Sequence, residues 1–100
     1  MTKKILTYID HFHGNPQPSS WEAVGLARKI AEDTGGEVAS LVIGEGVKDL
    51  AELAFQYGPD QVFLADDPAF KDFRPEALAD VVKQTAEQYQ PDVILFPTTT

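Results

Sequence analysis

The sequence predicts a single α/β domain over residues 1–100: three layers, α/β/α, with a mainly parallel sheet in strand order 3-2-1-4. Three observations lead there. Four short apolar runs, Ile5 to Ile9, Val38 to Ile43, Val62 to Leu64 and Val93 to Phe96, are nearly continuous rather than alternating, which is the pattern of strands covered on both faces. Segments with apolar residues at helical spacing separate them, giving a β-α-β-α-β-α-β rhythm. The length of 100 residues, 43% hydrophobic and 24% charged, matches one ordinary globular domain, and no linker divides the chain.

The elements follow in order. After the first strand, Ser19 is placed to cap a helix, with Glu22 at the third helical position to complete a capping box. Val24, Ala27, Ile30 and Ala31 form its apolar stripe, and Gly35-Gly36 ends it. The second helix is expected from about Glu45 or Val47 to Tyr57, stopped by Gly58-Pro59. Pro75 suits the first turn of a third helix, whose stripe is Leu78, Val81, Val82, Ala86 and Tyr89 and which Gln90-Pro91 closes. His11 to Pro18 and Asp66 to Phe73 are expected to be surface loops at strand ends. Right-handed crossovers put the first two helices on one face and the third on the other, so one apolar face is short of cover. The last residues fall just past the fourth strand, and a fragment, or a face covered by something else, is expected.

Composition narrows the function classes. Sixteen acidic against eight basic residues give a net charge of -8, the wrong sign for a phosphate-neutralising surface, so nucleic acid and anionic membrane are poor partners. Residues 31–100 hold fourteen of those carboxylates; they read as a solvated acidic surface, or more sharply as one for a basic partner. No cysteine is present, which removes disulfides, thiol catalysis and thiolate metal sites and suits a reducing compartment. With no signal-like start and no run near the ~18–20 apolar residues that span a bilayer, a cytoplasmic location is expected.

Five features invite chemistry. The switch point between strands one and four should gather Asp10, His11, Phe12 and His13 on one side and Thr98 to Thr100 on the other. His11 and His13, two residues apart, look like half a metal site with Asp10, but no further His or Cys exists to complete it. Gly44-Glu45-Gly46 stands where phosphate loops occur, yet Asp49 replaces the third glycine of the dinucleotide fingerprint, so a tight turn is expected. Asp66-Asp67-Pro68 reads as a turn opener and cap rather than paired catalytic carboxylates. Ser19, Ser20 and Ser40 lack a nucleophile elbow, and Trp21 suits packing better than cofactor stacking. The expectation is therefore no catalytic, cofactor-binding or metal-binding residue in 1–100, and no enzyme activity of its own.

Ile5-Leu6-Thr7-Tyr8-Ile9-Asp10-His11, Trp21 to Ile30 and Gly36-Glu37-Val38 together resemble the start of an electron transfer flavoprotein alpha subunit. Leu41 to Val47, Val62 to Pro68 and Pro91 to Thr100 continue the resemblance in order through the second, third and fourth strands. It implies a Rossmann-like, adenine nucleotide alpha hydrolase-like N-terminal domain that supplies scaffold and heterodimer surface. It further implies FAD in the C-terminal part of the full subunit, with none in residues 1–100, and a beta subunit as partner. Acyl-CoA or other dehydrogenases would then donate electrons through the complex to a quinone reductase or similar acceptor. A free-standing nucleotide-binding protein resembling the universal stress proteins is the alternative, and a small hydrolase using His11, His13 and the Asp pair a weaker one. With one face short of helices, the chain alone is expected to self-associate; sedimentation giving a clean, well-packed monomer with no partner affinity would count against that.

Overall fold

The computed structural model describes residues 2–71 and 75–97. In order the elements are β1 (Lys4–Tyr8), β2 (His11–Phe12), β3 (Asn15–Pro16), α1 (Pro18–Thr34), β4 (Glu37–Gly44), α2 (Lys48–Phe55), β5 (Gln61–Asp66), a 3-10 turn (Pro68–Phe70), α3 (Pro75–Tyr89) and β6 (Val93–Leu95). Strands β5, β4, β1 and β6 form one parallel sheet in that order, which is the expected 3-2-1-4. Ile5 pairs with Val38 on one side and Val93 on the other.

Strand β4 is buried from Val38 to Gly44, because both of its faces are covered. On one face Ile9 and Val42 meet Val24 of α1 and Leu50 and Ala54 of α2, while Ile5 and Val38 meet Ala27 and Ala31. On the other face Leu6, Leu41 and Ile43 pack with Tyr89, flanked by Leu78, Val81 and Val82 of α3. Two helices therefore cover one face and a single helix the other, as the crossover rule requires. Two hydroxyls sit in the middle of the first face, and they satisfy each other: Thr7 Oγ1 and Ser40 Oγ are 2.8 Å apart.

Where the chain departs from expectation, the cause is tertiary. No capping box forms at Ser19; α1 begins two residues earlier than that cap would place it, at Pro18, with Gln17 as N-cap and no side-chain cap. Proline suits that position because its missing N–H has no intrahelical partner to lose. The buried Ser20 is committed elsewhere, its hydroxyl accepting from the Asp10 N–H at 2.8 Å and donating to the Asp10 carbonyl at 3.2 Å. Residues expected to be loop form the antiparallel hairpin β2–β3, with His11 opposite Pro16. Helix α2 is shorter than expected, since Gln56, Tyr57 and Gly58 each donate to the carbonyl three residues back, so the chain tightens before Pro59.

Two helix exits share one device. Gly58 and Gln90 both have positive φ, +103° and +54°, and each is followed by Pro-Asp. Asp60 then accepts from the Val38 N–H at 2.8 Å, and Asp92 from the Lys4 N–H at 2.8 Å. Each aspartate clamps the start of an outer strand to the inner strand beside it, supplying an acceptor where the ladder has run out. Arg28 reaches Asp60 at 3.2 Å and ties α1 to the same corner. At the start of β4, a Cβ on Gly36 would lie 1.9 Å from the Lys3 carbonyl oxygen, so only glycine lets the two strands approach.

Tyr89 closes the α3 face. Its ring lies edge-on to Phe63 with centroids 5.6 Å apart, and Lys4 Nζ stands 4.3 Å from its centroid. Among the described residues the buried hydroxyl has no hydrogen-bond partner, and Glu37 acts on it chiefly as a nearby charge. Burial, then the Glu37 and Asp60 carboxylates, push the phenol up to about 12.

Two outcomes are expected. Gly36→Ala should destabilise the fold by about 3 kcal/mol in urea unfolding, because the backbone of β1 must move. The folded pKa of Tyr89 lies above the unfolded value near 10, so its contribution is complete below about pH 10 and lost between about 10 and 12. Tyr89→Phe removes the orphaned hydroxyl; an alkaline titration followed by circular dichroism should show equal or higher stability at pH 7 and unfolding displaced upward.

Candidate functional site: the carboxyl edge of the sheet

Ligands of open α/β sheets gather outside the carboxyl ends of the strands. There a cleft of about 260 Å³ opens among Tyr8, Asp10, His11, His13, Glu45 and Lys71, floored by Ile43, Phe70 and Leu78. Asp10, His11, Phe12 and His13 all line it, but apart from Tyr8 the remaining lining comes from β4, the turn after it, the 3-10 turn with Lys71, and α3 rather than from β6, the strand across the expected switch point; Thr98 to Thr100 lie outside the described residues. The set is divided, however. Asp10 borders β6, whereas His11 turns toward β4.

His11 is fully engaged. Its Nδ1 accepts from the Gly14 N–H at 3.0 Å, so the ring proton sits on Nε2, which donates to the Ile43 carbonyl at 2.6 Å. His13 lies at the exposed rim: it has φ +50° and sets its ring edge-on to Phe12 with centroids 4.3 Å apart. The two imidazoles would share a side only in an extended strand, and the hairpin turn between them removes that condition. Among the described residues no group of three or more His, Cys, Asp or Glu could hold a metal ion.

The Gly44-Glu45-Gly46 turn is tight, as expected, and two backbone donors at its end are taken. Asp66, opposite Gly44 in the register, accepts from the N–H groups of Gly46 at 2.8 Å and Val47 at 3.0 Å. The turn thus holds an anion, and the anion is the protein's own carboxylate. A Cβ on Gly44 would meet Val47 at 2.7 Å and the His11 ring at 2.9 Å, so the same glycine lets the hairpin lie close. Asp67 faces forward instead and accepts from the Ala69 N–H at 2.9 Å, capping the 3-10 turn. The adjacent carboxylates therefore diverge.

Ser20 and Ser40 have structural partners instead: Ser20 is bonded to Asp10 and Ser40 to Thr7. Trp21 stacks on Tyr57 with centroids 4.0 Å apart and planes 1° from parallel, joining α1 to the exit of α2. Burial first, then Asp10, raise the phenol of Tyr8 above its ordinary value. What sequence reasoning missed is Asp66 as the internal anion; the signal was its place beside the glycine turn in a 3-2-1-4 order.

A second, larger opening lies on the face that α3 covers alone. About 660 Å³ separates Leu78, Val82 and Ala86 from Tyr8, Ile94 and Phe96, with Asp10 and Lys83 the charged groups lining it. Phe96 is 58% exposed there, its ring 5.8 Å from that of Tyr8. No helix among the described residues is long and apolar enough to cross a membrane.

Comparison with known proteins matches residues 5–100 to the electron transfer flavoprotein domain. The chain is 33% identical to Protein FixB of Azorhizobium caulinodans, over 98% of its own length and 27% of that protein's. It is 35% identical to the lactate dehydrogenase (NAD(+),ferredoxin) subunit LctC of Acetobacterium woodii, over 95% of this chain and 23% of that one. To the electron transfer flavoprotein subunit alpha of Bacillus subtilis it is 32% identical, over 96% of this chain and 29% of the other. The chain thus spans between 23% and 29% of the length of these curated relatives.

Asp66→Ala leaves the Gly46 and Val47 donors without their acceptor. Urea unfolding should report a loss of about 1–3 kcal/mol. Asp67→Ala, which removes a single exposed cap, should cost about 1 kcal/mol.

Proposed function

This chain belongs to the electron transfer flavoprotein domain family, and on that premise we propose that residues 1–100 are the N-terminal scaffold and subunit-interface domain of an electron transfer flavoprotein alpha subunit. The observation that carries this reading is the apolar groove between α3 and β6. A chain with its chemistry complete would have little use for about 660 Å³ of open apolar surface ending on an exposed Phe96, whereas a scaffold offers such a surface for burial in an assembly. The relatives named as alpha subunits are matched over only 29% of their length.

The glycine turn and the cleft beside it do not fit a flavin dinucleotide. Asp66 already fills the anion-receptive turn at the strand ends. Among the described residues the cleft beside it sets Asp10 and Glu45 against Lys71 and, at about 260 Å³, falls below the ~300–1,000 Å³ of small-molecule sites. On this reading FAD is held elsewhere in the full subunit. The subunit pairs with a beta subunit in the cytoplasm, and the heterodimer carries electrons from acyl-CoA or other flavin dehydrogenases to a membrane quinone reductase or similar acceptor. Residues 1–100 contribute no catalytic group; their work is shape and surface.

Because the segment has no cysteine, Phe96→Cys gives it a single reactive thiol in the groove. A maleimide should label this thiol freely in the isolated chain and at least about tenfold more slowly in the assembled alpha–beta flavoprotein. Equal labelling in both would sink the proposal. Micromolar binding of ATP or AMP by the chain alone would favour the nucleotide-binding alternative instead.

A further inference from the structure

The hairpin β2–β3 is only two residues deep on each side, too short to hold itself together by ladder hydrogen bonds. Its base is secured by backbone and by Ser20: Gln17 N–H donates to the Asp10 carbonyl at 2.9 Å, and the Ser20 hydroxyl bridges both backbone groups of Asp10. Its tip depends on one side chain. His11 bonds outward to the Ile43 carbonyl through Nε2 and inward to the Gly14 N–H through Nδ1. That second bond holds a turn in which His13 takes a left-handed backbone at φ +50°, a conformation disfavoured for a residue with a side chain, and in which Phe12 is left 68% exposed.

The inward bond exists only while Nδ1 carries no proton. An N–H can donate to a bare imidazole nitrogen, but a protonated Nδ1–H and the Gly14 N–H are two donors facing one another. The outward bond responds in the opposite sense, since a charged imidazolium donates more strongly to the Ile43 carbonyl. A single proton therefore leaves the ring anchored on β4 while cutting its hold on the turn. We propose that protonation of His11 re-aims the tip of the hairpin, so that Phe12 and His13 are presented in one fixed arrangement only when the imidazole is neutral.

The groups facing His11 come from every element around it. Tyr8 and Asp10 lie at the end of β1, His13 on the hairpin, Glu45 in the turn after β4, and Lys71 after the 3-10 turn. Asp66 stands behind that turn with its carboxylate already bonded to Gly46 and Val47. Asp10 and Glu45 accommodate the cation; Lys71, and His13 when protonated, oppose it. An imidazole ordinarily changes charge between pH 5 and 8. The arrangement of the exposed aromatic tip is thus tied to whether the His11 imidazole carries one proton or two.

The test is a titration of the 15N-labelled protein by NMR from pH 5 to 8, following the His11 ring, the Gly14 amide and core amides such as Val42. Gly14 should shift with the same midpoint as the His11 ring. Its exchange, corrected for the intrinsic effect of pH, should quicken at least about tenfold on the acid side while Val42 stays protected. His11→Gln should make Gly14 indifferent to pH, and His13→Gln should leave the transition in place. The proposal is overturned by a Gly14 amide that stays still while His11 titrates, by one that moves only together with Val42, or by an intact core in which His11 takes up no proton. A transition that survives His11→Gln, or that vanishes in His13→Gln, overturns it as well.

Discussion

Strand β4 has no face toward water. From Val38 to Gly44 it is buried against α1 and α2 on one side and the α3 layer on the other, and the rest of the architecture answers that constraint. A strand covered on both faces must be apolar throughout, must have parallel neighbours whose connecting helices supply the cover, and must end in groups that satisfy its last backbone donors and acceptors. The sheet order β5-β4-β1-β6, with two helices on one face and one on the other, meets the first two requirements.

The third requirement explains where much of the acidic charge is spent. Asp60 and Asp92 clamp the starts of the outer strands to Val38 and Lys4, and Asp66 closes the turn where β4 ends. In an acidic protein such carboxylates are conspicuous as candidates for catalysis or metal binding. Here their lone pairs accept from backbone N–H groups, so they act as structural anions. The same substitution of an internal carboxylate for an external ligand occupies the Gly46 and Val47 donors of the glycine turn, where a phosphate would otherwise be held.

The carboxyl edge was legible as a location and less so as an arrangement. Its residues Asp10 to His13 follow from topology, because in the 3-2-1-4 order the first strand ends at the switch point. That His11 bonds to Ile43 and Gly14 while His13 faces solvent did not follow, since a positive φ at a histidine has no mark in the sequence. Ser20 teaches the same lesson at the start of α1. By local rules Ser19 with Glu22 makes a cap, yet the helix starts at Pro18 and the serine hydroxyl that matters is turned toward Asp10.

The sequence by itself determined the four strands of the main sheet, the three α-helices and their order, though not the β2–β3 hairpin. Periodicity of 3.6 or continuous burial, with Gly and Pro as stops, acts within a few residues and is written there. It therefore also determined the α/β class and, through the handedness of crossovers, the topology. Tertiary structure alone decided the pairings across long separations: Asp66 with the turn twenty residues earlier, His11 with Ile43, Asp92 with Lys4. Each is a hydrogen bond between a side chain and a backbone group, and backbone groups are the same at every position, so no residue type marks the partner. Only the closing of the sheet brings donor and acceptor within 3 Å.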